Sequence, residues 1–331
     1  MSYKNENMKM IELHENGLDI QFRIRENGVV ELADFSSQEV KKAVMEPKDD
    51  ICYPAVEIHR SGTGSLNMHA YKNNINQSSV DFVYENHELK AQAGGKELEI
   101  VMISPEKLKA VYHMRLFDGV PAVQTWTEII NEGSEDQGLT YVSSFMYQGI
   151  SRGGEKPYYK KTDIYVPFNS WCCEAQWQKY DAETLNLNGM VVDGFNHQGY
   201  GLNRYCYSGK GTWSTCEYLP MGIAEDRETG ETYIFQIESS GQWLAEYGSA
   251  QGGNLYLALS GATEQEHGWY KNLKPGESFT TVPAGAAVVK GGLNPAAAAL
   301  TRYRRKVRRP NTDDEKLNVV FNDYMNCLMG D

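Results

Sequence analysis

The sequence predicts an all-β protein: a large antiparallel β-sandwich, followed by one helix and a short terminal strand. Three observations carry this. Apolar and polar residues alternate in short runs from residue 10 onward, Gly, Asn and Pro punctuate those runs at close spacing, and helical periodicity is almost absent before residue 290. Alternation with period two gives each strand one dry and one wet face, and two such sheets hide their dry faces on each other.

Taken in order, Met10-Ile11-Glu12-Leu13-His14 and Leu18-Asp19-Ile20-Gln21-Phe22-Arg23-Ile24 flank the turn Glu15-Asn16-Gly17, a hairpin signal. Val29 to Phe35 follows Asn27-Gly28 as a third strand, and a polar loop runs to Asp50 before Tyr53-Pro54-Ala55-Val56-Glu57-Ile58-His59 resumes the alternation. Further strands are expected over Val80–Tyr84, Leu98–Ile103, Leu108–Phe117, Val120–Asn131 and Thr140–Tyr147. Within Val120–Ile130, Val123, Thr125, Thr127 and Ile129 fall on one side, Gln124, Trp126 and Glu128 on the other.

The middle third is dense in aromatics, among them Trp171, Trp177, Trp213 and Trp243. Because a buried Trp removes about 150–250 Å² from water, most of them are expected in the core. Leu255–Ser260 and Val282–Val289 close the sandwich, the latter after the turn at Lys274-Pro275-Gly276. Asn294-Pro295 followed by four alanines then starts a helix, with Asn294 as N-cap and Pro295 at the first helical position. Arg302, Arg304, Arg305 and Lys306 suit its C-terminal dipole end before Pro310 breaks it. Leu317, Val319, Val320 and Phe321 crowd β-formers without alternation, the pattern of a strand covered on both faces, as in a parallel α/β sheet. The organisation expected is therefore a sandwich over 1–293, a linker helix and connector over 294–316, and over 317–331 the first strand of a further, incomplete domain.

Composition narrows the function. The chain has 331 residues, 41% hydrophobic and 23% charged, an ordinary globular balance. Lys+Arg number 32 against 44 Asp+Glu, a net charge of −12 that disfavours nucleic acid and anionic membranes and leaves a neutral ligand such as a sugar indifferent. The N-terminus carries no apolar signal-like core and there is no long apolar run, so a cytoplasmic location is expected. Six irregularly spaced cysteines read as reduced and structural, and no paired CxxC spacing points to zinc. The loop Ser61-Gly62-Thr63-Gly64-Ser65 between His59 and His69 lacks the Lys-Ser/Thr and helix start of a phosphate loop. Glu174 and Glu217 stand in aromatic surroundings and could be drawn as an acid/base pair, although sequence cannot set their separation.

Several segments together resemble the family 36 glycoside hydrolases, the α-galactosidase and α-N-acetylgalactosaminidase group. They are Tyr53–His59, Asn169-Ser170-Trp171 with Glu174-Ala175-Gln176-Trp177, Gly211-Thr212-Trp213-Ser214 with Glu217–Gly222, and Gln236-Ile237-Glu238 with Gly241-Gln242-Trp243. Val319-Val320-Phe321-Asn322-Asp323-Tyr324 resembles the first strand of that family's (β/α)₈ barrel. The resemblance implies a galactose-mutarotase-like supersandwich ahead of a truncated barrel. A whole barrel takes roughly 250 residues, so the two catalytic aspartates of the family are expected beyond Asp331, and the fragment alone is expected to be inert. It further implies an α-galactoside oligosaccharide as substrate, no metal or organic cofactor, and a homo-oligomer, tetrameric by family likeness. Tyr324 takes the place where many members carry a sugar-contacting Trp, with Asp323 beside it, and Asp50 resembles an acidic residue that some members bring to the sugar cleft. A different class remains open, a stand-alone carbohydrate-binding module that uses aromatics of the Trp-rich middle.

Overall fold

The computed structural model describes residues 8–42, 44–46, 52–64, 72–187, 203–250 and 253–323. A hairpin begins the chain: β1 (Lys9–Glu15) and β2 (Leu18–Ile24) pair across Asn16 and Gly17, both at positive φ (57° and 84°), and β3 (Val30–Ser37) completes a three-stranded sheet. Gly at the second turn position adopts that left-handed geometry without steric cost.

After β4 (Ile58–Arg60) and the helical turn α1 (Gln77–Val80) come β5 (Val83–Gln92), β6 (Gly95–Ile103), β7 (Leu108–Phe117), β8 (Val120–Asn131) and β9 (Gln137–Ile150). The second half supplies β10 (Thr162–Ser170), β11 (Cys173–Asp181), β12 (Arg204–Gly209), β13 (Met221–Asp226), β14 (Glu231–Ile237), β15 (Trp243–Ala250) and β16 (Asn254–Ser260). The turn α2 (Glu264–His267), β17 (Lys271–Leu273), β18 (Ser278–Thr280) and β19 (Ala284–Lys290) follow, then α3 (Leu293–Val307) and α4 (Thr312–Lys316). The pairings are antiparallel.

Two larger sheets form the sandwich. One runs β11-β10-β13-β14-β19-β8-β7-β6-β5 with β18 on β8; the other runs β12-β15-β16-β9-β17 with β4 on β9. One continuous core joins them to the small sheet, with Phe22 and Phe35 from the small sheet, Leu98, Met114 and Ile129 from the large one, and Phe145, Tyr247 and Leu257 from the third. In β8 the alternation is realised as expected: Val123, Thr125, Thr127 and Ile129 are buried, while Gln124, Trp126 and Glu128 face partly outward. The outer face of the large sheet is covered by α3, whose Ala296, Ala299, Leu300 and Tyr303 pack on Phe117, Ala122, Ile234 and Ala287. Tyr303 lies edge-on to Phe117 at 5.5 Å, above Gly285, where any Cβ would collide with its ring.

Several expectations are corrected by the structure. Of the run Tyr53–His59, only Ile58 and His59 join a strand, because polar side chains take the backbone groups a ladder would have used. The Glu31 carboxylate accepts from Tyr53 N (2.9 Å), Ser143 Oγ from Glu57 N (2.9 Å), and Ser79 Oγ from Ile58 N (2.9 Å). Residues 77–80 are helical, with Asn76 Oδ1 accepting from Ser78 N, so the next strand starts at Val83 and extends through polar, exposed residues to Gln92. Asn294 is not the cap of α3; Gly292 is, and its N–H donates to Thr232 Oγ1 (3.1 Å), which fixes the chain two residues earlier. The terminal strand is not formed over the described residues: Leu317 closes α4 in a left-handed conformation, and Val319, Val320 and Phe321 lie 98%, 87% and 80% exposed. A strand covered on both faces takes its hydrogen bonds and its burial from neighbours on either side, and the sandwich provides none there.

The described residues 52–64 and 72–82 are tied to β9 and β15, in part through buried charge. Glu246 accepts from Asn73 N and Asn73 Nδ2 (2.8 Å each), Arg204 Nη1 (2.6 Å) and Tyr256 OH. Glu57 accepts from Ile75 N, Asn76 N and Ser79 Oγ. Lys72, 2% exposed, donates to Ser249 O at 2.6 Å. Burial pushes its ammonium down to about 8, with Glu246 opposing the shift. A lysine whose folded value is depressed destabilises the fold below that value and ceases to do so as pH climbs to its unfolded value near 10.5. Relative to a Lys72→Met variant, the wild type should therefore gain stability between pH 8 and 10.5, by at most about 3 kcal/mol. Urea unfolding of both proteins across that window measures it; a difference that stays flat with pH would contradict the shift.

Candidate functional site at the aromatic end of the sandwich

β10 and β11 form the edge hairpin of the large sheet, turned by Trp171 and Cys172, with Ser170 opposite Cys173 and Cys172 at φ 62°. Beside it runs the loop 210–220, joined through an isolated bridge between Phe168 and Tyr218. Asn169 fastens the two together. Its N–H donates to Glu217 O (2.8 Å), its Nδ2 to Thr215 O (2.5 Å), and its Oδ1 accepts from Ala175 N (3.0 Å). From below, Trp243 Nε1 donates to Ser214 O at 2.7 Å.

The two tryptophans carried by these loops face solvent: Trp171 is 89% exposed and Trp213 72%. This corrects the expectation that the aromatic middle is mostly core only for them, since Trp243 is fully buried and Trp126, Trp177 and Trp269 are partly buried. Below the rim, Phe168, Tyr218, Tyr207 and Trp243 form a chain of ring contacts with centroids 5.2, 5.4 and 5.8 Å apart. Burial raises the phenols of Tyr205, Tyr207 and Tyr218 and pushes the Cys206 thiol up to about 11, so all four stay protonated at neutral pH. A rim of rigidly mounted, solvent-facing aromatics can stack on the C–H face of a sugar or pack on another protein surface. Glu174 and Glu217 are both exposed here, and Glu174 accepts from Cys172 N (3.1 Å).

Of the residues singled out from sequence, Asp50 and Tyr324 lie outside the described residues. Asp323 is described and exposed, seven residues past the end of α4. The described cysteines Cys52, Cys172, Cys173, Cys206 and Cys216 are free thiols. No helix among the described residues is long and apolar enough to cross a membrane. The Asn169 latch went unrecognised in the sequence, although Asn169 opens the Asn-Ser-Trp run; what marks it is its contact with a loop more than forty residues away.

No protein-family model and no curated protein matches the sequence. Solved structures do match its fold. The GH36 α-galactosidase AgaB from Geobacillus stearothermophilus superposes with a TM-score of 0.69 over 93% of this chain at 14% identity. AgaA from the same organism, solved with raffinose, gives 0.67 over 91% at 15% identity, and the α-galactosidase from Lactobacillus brevis gives 0.66 over 91% at 14%. This chain has the fold of part of a family 36 α-galactosidase. It spans 43%, 44% and 42% of those three chains, less than half of each. The likeness extends over about nine-tenths of the present chain and so takes in both of its large sheets.

Proposed function

We propose that this chain is the N-terminal sandwich of a family 36 retaining α-galactosidase, an enzyme that removes terminal α-linked galactose or N-acetylgalactosamine from oligosaccharides or glycoconjugates. The observation that carries the reading is the fold match over about nine-tenths of the chain and less than half of the relatives. The exposed run after α4 supports it. Leu317, Val319, Val320 and Phe321 are 80–98% exposed, an apolar cluster that water disfavours and that a following domain would cover. Tight packing of α3 on the sandwich fixes where that run emerges.

In this reading the two carboxylates of the double displacement, about 5–5.5 Å apart, belong to a barrel that follows Asp331. The first attacks the anomeric carbon; the second protonates the leaving oxygen and then activates water. The sandwich supports that barrel, Asp323, Tyr324 and Asp50 contribute to the sugar-binding shell, and the whole enzyme is a cytoplasmic homo-oligomer, tetrameric by family likeness. AgaA has been solved with raffinose and with stachyose, which makes such α-galactosides the substrates to try first.

A second reading, a carbohydrate-binding module, draws on the exposure of Trp171 and Trp213. One experiment separates the two. The product of the complete gene and the 331-residue chain are each incubated with a chromogenic α-galactoside. Turnover by the complete product and none by the short chain is the expected result. Turnover by the short chain, or a gene without a downstream barrel, would overturn the proposal.

A further inference from the structure

On the outer face of the large sheet, on β6 and β7, three metal-ligating side chains converge. Glu97 and Glu99 stand two residues apart on β6 and therefore share a face, and His113 on β7 is the cross-strand partner of Glu99. His113 Nδ1 lies 3.0 Å from Glu97 Oε1 and 3.9 Å from Glu99 Oε1, and one donor atom from each of the three residues falls within 4.8 Å of the others. The side chains are only 10%, 22% and 13% exposed.

Around a transition-metal ion bound at 2.0–2.2 Å, the donor atoms of a tetrahedron stand about 3.3–3.6 Å apart. The two measured separations bracket that edge, so small side-chain rotations bring all three donors onto one ion. We propose that Glu97, Glu99 and His113 form a divalent transition-metal site, with zinc or cobalt as the type of ion, held by one imidazole nitrogen and two carboxylate oxygens. Mixed N/O donors favour such ions over calcium or magnesium, which take oxygen alone.

The surroundings pre-arrange the donors. The His113 ring is stacked on Trp126 with centroids 4.7 Å apart and planes 8° from parallel, which fixes the direction of Nδ1. Gln92 Nε2 donates to Glu97 Oε2 and steadies that carboxylate. All three donors are mounted on paired strands, not on a loop. Two cations are near. Lys90 Nζ is 2.5 Å from Glu99 Oε2, and Arg115 is the cross-strand partner of Glu97. The Lys90 side chain is 39% exposed, so an incoming dication can send it back to water with little loss, as solvent screens such exposed pairs. The ion binds deprotonated Nδ1 and both carboxylates; any proton shared between His113 and Glu97 goes to solvent, and Nε2 keeps its own.

The test is calorimetric titration of the chelator-washed 331-residue chain with Zn²⁺, and with Co²⁺ followed by its visible ligand-field spectrum. A Cys172→Ser/Cys173→Ser/Cys216→Ser variant runs alongside, because those exposed thiols could bind either ion themselves. One saturable site is expected in both proteins. His113→Ala and Glu99→Gln should each weaken it by at least roughly tenfold, as large as or larger than changes outside the ligand shell produce. Glu99 is the most exposed of the three donors, and its substitution keeps the test decisive should His113→Ala not fold. Absence of saturable binding below about 1 mM, binding lost with the cysteines, or binding indifferent to Glu99→Gln would each overturn the assignment.

Discussion

Replacing Glu246 by alanine is expected to cost about 3–5 kcal/mol of stability, the range for removing one partner of a buried ion pair. The carboxylate is fully buried and serves four donors at once: two on Asn73, one on Arg204 and one on Tyr256. Without it the Arg204 guanidinium keeps Glu266 at 2.8 Å as an acid partner, but Asn73 N and the Tyr256 hydroxyl lose theirs inside the protein. The segment around Asn73 then loses its direct tie to that carboxylate on β15, while Lys72 keeps its bond to Ser249 O. Urea unfolding measures the loss. A change under about 1 kcal/mol would show that the segment is held by its Glu57 contacts instead.

Trp243→Ala is expected to cost a similar amount, about 3–5 kcal/mol, through the cavity it opens. Trp243 is fully buried, stands edge-on to Tyr207 at 5.8 Å and closely overlies Gly209, where any Cβ would collide with its indole. Its loss also frees Ser214 O, and with it the mounting of the loop that carries Trp213. Trp171→Ala and Trp213→Ala, by contrast, should each stay within about 0.5 kcal/mol of wild type, because both rings already lie in water. Thermal and urea unfolding of the three variants separates a tryptophan that holds the fold from two that it displays. If Trp171→Ala proved as costly as Trp243→Ala, the aromatic rim would have to be part of the core.

Legibility in the sequence followed the source of each signal. β2, β7 and β8 were readable to within a residue because half-buried strands must alternate, and alternation is written locally. β5 was largely missed, since an edge strand exposed along its length has no dry face to mark it. Tyr53–His59 misled in the opposite direction: an alternating run, but one whose backbone is anchored by Glu31, Ser79 and Ser143, residues remote in the chain. The tryptophans show the same limit, for Trp171 and Trp243 look alike as letters and differ by 89% against 0% in exposure.

The amino-acid order by itself determined the all-β class, most strand positions, the helix after the sandwich, and the likeness to family 36 glycoside hydrolases. The first three follow from periodicities and short runs that each residue shares with its immediate neighbours, the last from the resemblance of several short motifs. Only the tertiary structure decided which aromatics are covered, where the buried carboxylates find their donors, and that Glu97, Glu99 and His113 meet on one face. Burial and convergence are properties of pairs far apart along the chain, set by strand register and by which sheet lies against which, and no local pattern encodes them.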